Sequence, residues 1–186
     1  MEMDYLKSHY NILSSSLFVL LILAAHLFST QQYDWTKNTI SDLGAQGYDR
    51  KWIMQCGFLA FGIILVAGVL LNGFAWRTLP ILLYALCVGL TGVFCEKPFF
   101  HYEPYSVAQA SIHSILAQTA GVAFSIGILV QLFYTPDNSH KWIHFGFFIL
   151  VIGLSAAFGL TKSYPGIPQR LLYLVSLLWL VGFYKP

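Results

Sequence analysis

The sequence predicts an all-α protein, a polytopic bundle of six transmembrane helices, and three observations carry that prediction. Apolar residues make up 57% of the chain and charged ones 10%, whereas about a quarter of the residues of a soluble domain are charged. Mean hydropathy is +0.65. Above all, six apolar runs approach the ~20 residues that a helix needs to cross ~30 Å of hydrocarbon. They are residues 12–28, 53–71, 79–94, 107–133, 142–160 and 167–183. Few residues remain for a separate water-soluble domain, so 1–186 read as a single transmembrane domain.

The first run follows "MEMDYLKSHY", which sets Glu2 and Asp4 against a lone Lys7 and leads to no small-residue cleavage pattern. It reads as a retained span and not as a signal peptide. Gly44 and Gly47 loosen the connection to the second span, and "NGFAWRTLP" with Pro80 separates the second from the third. "EKPFFHYEP" separates the third from the fourth. "YTPDNSH" offers Ser139 as the N-cap of the fifth, and "KSYPGIP" puts Pro168 in the first turn of the sixth. Aromatics gather where interfaces belong. Tyr33, Trp35, Trp52, Phe99, Phe100, Tyr102 and Tyr105 mark one face, and Trp76, Tyr134, Trp142, Trp179 and Tyr184 the other. In the fourth span Ala110, Ser111, Ser114, Ala117, Gly121 and Ser125 recur at three- and four-residue intervals, the pattern of close helix contact in lipid.

Alternating spans put both termini on one face, the near side, and the first, third and fifth connections on the other, the far side. The far side collects Asn38, Ser41, Asp42, Glu96, Lys97, His101, Glu103, Lys162, Gln169 and Arg170. His26 ends the first span there, His113 lies about two turns into the fourth, and Gln118 lies deeper. Ionisable groups near hydrocarbon cost a few kcal/mol each and tend to be paired and inward-facing. The expectation is a polar pocket at the far interface in which Asn38, Glu96, Arg170 and Gln118 hold a ligand. Asp42, His113 and Ser41 are the candidates for chemistry: Asp42 orients His113, which activates Ser41 or a water. Plain structural roles stand beside these. "SDLG" is also a good turn or helix-cap sequence, and Arg170 suits an interfacial anchor.

No metal is required by the sequence. His26, His101 and His113 are weak zinc candidates, a His26–His113 haem is weaker still, and the His140–His144 pair lacks the glutamate of a zincin motif. The three cysteines have no CxxC or finger spacing. Basic stripes, RNA motifs and phosphate loops are absent, which excludes nucleic acid and leaves membrane lipids as the expected partners. No span has a charged residue near its middle, so a transporter is disfavoured. Of the ten Lys and Arg, six are on the far side and four on the near side. That asymmetry points the far side to the cytoplasm but leaves the orientation unassigned, as is the oligomeric state.

Four segments in register, "NTISDLGAQG", "GLTGVFCEKP", "SIHSILAQTAG" and "IPQRLLYLVSLLW", resemble the DUF998 family of prokaryotic six-span membrane proteins. "ISDLG" and the later histidine are more distantly similar to the Frag1/DRAM/Sfk1 group. The resemblance implies six spans in a prokaryotic plasma membrane and singles out Asn38, Ser41, Asp42, Gly44, Glu96, His113 and Arg170 as matching positions. Members of the family tend to have a proline and acidic residues after the third span; here Cys95, Glu96 and Lys97 stand there, so only Glu96 carries over. No activity follows from the resemblance. The Frag1-like similarity tilts the expectation towards lipid. Three functions are therefore expected in order: a lipid or amphiphile binder, an intramembrane hydrolase or transferase, and a membrane scaffold or accessory subunit.

Overall fold

A computed structural model describes residues 2–100 and 104–186, with the side chains of 2–6 and 8 excepted. It is all-helical among the described residues. The α-helices are α1 (Glu2–Leu27), α2 (Lys51–Leu71), α3 (Leu79–Thr91), α4 (Val107–Tyr134), α5 (Asn138–Leu160) and α6 (Gly166–Gly182). Two 3-10 turns, Ser41–Gly44 and Trp76–Thr78, precede α2 and α3. Four helices have stretches long and apolar enough to cross a membrane: His9–Leu27, Lys51–Leu71, Val107–Tyr134 and Asn138–Leu160. Trp76–Thr91 and Gly166–Gly182 are shorter apolar helices. The protein is a membrane protein by these helices.

Local chemistry sets the boundaries. Helix α1 reaches back through the polar lead to Glu2, because a helix propagates through polar residues once nucleated by its apolar part. The Ser106 hydroxyl caps α4 by accepting from the Gln109 N–H at 3.3 Å. Helix α5 is capped by Asp137 and not by Ser139: the Asp137 carboxylate accepts from the N–H groups of Ser139 and His140 at 3.2 and 3.4 Å. The carboxylate wins because it adds a charge at the positive helix end.

Each helix packs on the next in sequence and α6 returns to α1, so the six form a ring. An aromatic chain crosses its interior. Phe18 meets Phe61 at 4.9 Å, Phe61 meets Tyr84 at 5.9 Å, Tyr84 meets Phe124 at 4.8 Å, and Phe124 meets Trp179 at 5.2 Å between centroids. Tyr173 closes back on Phe18 at 5.5 Å. Such pairs add about 0.5–1.5 kcal/mol each beyond area burial. The packing is uneven. Half of the α2 span is buried inside the protein but only 11% of the α5 span, so α5 forms a thin wall.

Hydrogen bonds tie each face together. On the near side the Asn72 amide donates to the Lys7 carbonyl at 2.9 Å, Arg77 to that of Pro186 at 2.9 Å, and the Gln131 amide to that of Lys185 at 2.5 Å. Trp35, Trp52, Trp76 and Trp142 are exposed, as interfacial anchors would be. Trp179 and Tyr184 are not: both are buried. Trp179 donates its indole N–H to His144 Nδ1 at 3.0 Å, and His144 Nε2 then donates to the Thr135 hydroxyl at 3.2 Å. A buried indole needs such an acceptor. Both nitrogens of His144 are thereby used, while the exposed His140 pairs with Asp137.

Candidate functional site

The polar residues of the far side separate into two clusters joined by the first connection. The first centres on Arg170, in the first turns of α6. Its Nη1 donates to the carbonyls of Asn38 and Gly166, each at 2.9 Å, and its Nη2 donates to His26 Nε2 at 2.8 Å and to the Tyr33 hydroxyl at 2.5 Å. His26 Nδ1 donates to the Ile22 carbonyl at 2.8 Å, which leaves Nε2 as the acceptor the guanidinium requires. The guanidinium also lies 5.9 and 6.0 Å from the rings of Tyr33 and Trp35. Gly166 makes this possible: a Cβ there would stand 2.4 Å from the carbonyl oxygens of both Asn38 and Trp35.

The second cluster centres on His113 of α4, which is 2% exposed. Its Nδ1 donates to the Phe94 carbonyl at 2.7 Å, and its Nε2 faces the Glu96 carboxylate at 3.6 Å. Gln46 holds this cluster to the first connection. Its amide donates to the carbonyls of Cys95 and Ser106 at 3.3 and 3.0 Å, its oxygen accepts from the Ser106 N–H at 2.8 Å, and its own N–H reaches the Glu96 carbonyl at 2.9 Å.

Asp42 lies between the clusters. Its carboxylate accepts from the Thr39 N–H at 2.7 Å while the Thr39 hydroxyl accepts from the Asp42 N–H at 3.1 Å, a reciprocal capping pair. Burial pushes the Asp42 carboxyl above its ordinary range; the bonds from Thr39 oppose the shift and the charge of Glu96 adds to it. A carboxyl raised in the folded state contributes stability that is lost as pH rises through the folded value. Asp42→Asn keeps an acceptor for Thr39 and does not ionise. Thermal melts from about pH 4, the ordinary aspartate value, upward are therefore expected to show the variant gaining on the wild type as pH rises, and curves parallel from about pH 4 upward would contradict the assignment.

The arrangement corrects several expectations. Arg170 has four of its N–H groups spent within the protein, and both nitrogens of His113 are engaged by Phe94 and Glu96, so they do not form one headgroup clamp with Asp42. No hydrogen bond joins Ser41, His113 and Asp42 among the described residues; the nucleophile–base–acid relay is not formed, because Asp42 is committed to Thr39 and His113 to Phe94. Gln118 is exposed on α4 and makes no hydrogen bond to either cluster among the described residues. No group of three metal-ligating side chains occurs among the described residues, and the guanidinium on Nε2 of His26 repels a cation there. His101 and Glu103 lie outside the described residues.

Ser41 lies elsewhere, at the far end of a cleft inside the ring. This partly open cleft lies between α3, α4, α5 and α6. The small face of α4 lines it with Ala117, Ala120 and Gly121. A Cβ on Gly121 would meet nothing within 4 Å. The predicted close-contact stripe therefore makes room here; helix α4 comes close to α3 further along, at Gly127 against Ile81, and Gly62 and Gly92 bring the backbones of α2 and α3 together. Sequence reasoning missed Tyr33, Gln46 and Gln169 as organisers, and Tyr84 and Tyr173 as cleft residues. The available signals were an amide between small residues in "GAQG", an amide beside the arginine in "PQR", and single tyrosines inside the apolar runs "LLYAL" and "LLYLV".

Comparison with curated proteins and with solved structures gives no match. The profile described as "Protein of unknown function (DUF998)" matches residues 12–184. That span takes in most of α1, the other five helices whole, both far-side clusters and the cleft, and the chain belongs to the DUF998 family.

Proposed function

We propose that this protein binds a lipid or other amphiphile within the membrane, and that the ligand occupies the cleft between α3, α4, α5 and α6. The observation that carries the reading is the cleft itself. Its wall is mostly apolar with a few hydroxyls and one amide, the make-up of small-molecule sites. The thin packing of α5 supports entry from the bilayer. The membrane is read as a prokaryotic plasma membrane, on the resemblance of the four quoted segments. The far-side clusters then close one end of the ring. A hydrolase reading built on Ser41, Asp42 and His113 lacks the contacts it needs.

Gly121→Phe tests the reading, since the new ring enters open space at the cleft wall. The melting temperature is expected to stay within about 2 °C of wild type. Native mass spectrometry of protein extracted in mild detergent is expected to show a retained amphiphile on the wild type and none on the variant. Equal retention on both proteins would place the ligand elsewhere.

A further inference from the structure

The cleft is lined without any Asp, Glu, Lys, Arg or His, yet it is not simply greasy. Tyr84 of α3 and Tyr173 of α6 both line it. Neither hydroxyl has a hydrogen-bond partner among the described residues. Gln169 adds a third free donor. Its Oε1 accepts from the Ile40 N–H at 2.6 Å, and only the amide oxygen can accept, so its NH2 is turned the other way and has no partner among the described residues. Tyr84 is 5% exposed and Gln169 is 8% exposed. These donors open onto a mostly apolar cleft, where a donor left without an acceptor is costly, up to about 1–3 kcal/mol each.

We propose that the cleft is built for an uncharged amphiphile that presents acceptor oxygens, of the carbonyl, ester or ether kind, to Tyr84, Tyr173 and Gln169. This rests on the cleft being the ligand site. A purely hydrocarbon occupant would leave the three donors unpaired. A phosphate-bearing lipid would bring an anion into a wall with no cation. Arg170, which holds the far end of α6, already has four N–H groups committed.

The test compares two probes on delipidated protein in detergent: dioleoylglycerol, uncharged with two ester carbonyls, and dioleoylphosphatidylglycerol, which adds an anionic phosphoglycerol headgroup to the same two chains. Native mass spectrometry titrations are run on wild type, on Gly121→Phe and on the double variant Tyr84→Phe/Tyr173→Phe, which preserves ring packing. The wild type is expected to bind the neutral probe at least about tenfold more tightly than the anionic one. Gly121→Phe should abolish that binding, and the double variant should weaken it about tenfold at an unchanged melting temperature. Equal or tighter binding of the phosphatidylglycerol that Gly121→Phe abolishes would overturn the ligand class while leaving the cleft as the site. Neutral-probe binding indifferent to the two tyrosines would overturn the assigned donors. Binding of either probe untouched by Gly121→Phe would overturn the cleft reading itself.

Discussion

Arg170→Met is expected to destabilise the protein by about 3 kcal/mol, seen as a fall of about 6 °C or more in melting temperature in detergent. The guanidinium ties α1, the first connection and α6 together, through His26, Tyr33, the Asn38 carbonyl and the Gly166 carbonyl. Methionine replaces its stem but leaves those four acceptors without their donor. Complete burial of all of them would cost more than the figure given; the side chain is only half-buried, and water reaching the gap reduces the penalty. The seam between α6 and α1 is the thinnest in the ring, so little else compensates. Arg170→Lys is expected to recover little, because a single ammonium cannot direct donors along four divergent lines or stack flat against Tyr33 and Trp35. A lysine variant melting within about 1 °C of wild type would mean that charge, and not the fork of donors, does the work.

How much of this was legible beforehand depends on the range of the interaction. Apolar run length is a local property, and it located the helices. The grouping of Asn38, Arg170 and His26 on one face followed from alternating crossings alone. Partnership did not follow. Arg170 bonds to His26 across 144 positions and to the Asn38 carbonyl across 132, and nothing in either segment states which of several nearby carboxylates or carbonyls it will choose. By charge alone Asp42 or Glu96 would pair with Arg170, yet the arginine takes neutral acceptors while Asp42 closes its own turn with Thr39. The α4 stripe shows a different limit. Small side chains allow a neighbouring helix to come close and equally allow a hollow to form, and the sequence is the same in both cases. Trp179 was read as an interfacial anchor because it lies near a span end; the acceptor on His144 lets it turn inward instead.

The site therefore has two layers with different demands. The far-side clusters spend their polar groups on one another and fix where α6, α4 and the first connection meet. The cleft keeps the hydroxyls of Tyr84 and Tyr173 and the amide NH2 of Gln169 unspent among the described residues. Variants in the first layer should be read through stability, and variants in the second through ligand retention at constant stability. A substitution that shifts the frame should move both.

Gly62→Ala is expected to be such a substitution. A Cβ at Gly62 would stand 2.5 Å from the Cα of Gly89, 2.8 Å from the Ala85 carbonyl oxygen and 2.9 Å from the Gly89 nitrogen. All three are backbone atoms of α3, so no side chain can swing aside, and the two helices must part. Overpacking of this kind costs about 1–3 kcal/mol, and the backbone clash places this case at the upper end. The reciprocal change is mild by comparison: a Cβ at Gly89 meets the Gly62 Cα at 3.3 Å and nothing else closer than 3.9 Å. Melting temperatures are thus expected to fall several degrees for Gly62→Ala and about 1 °C or less for Gly89→Ala. Helix α3 also carries Tyr84, so moving it should loosen the cleft, and Gly62→Ala is expected to lose retained amphiphile along with stability while Gly89→Ala keeps both. Equal effects from the two alanines would show that α2 and α3 do not cross at this pair of glycines.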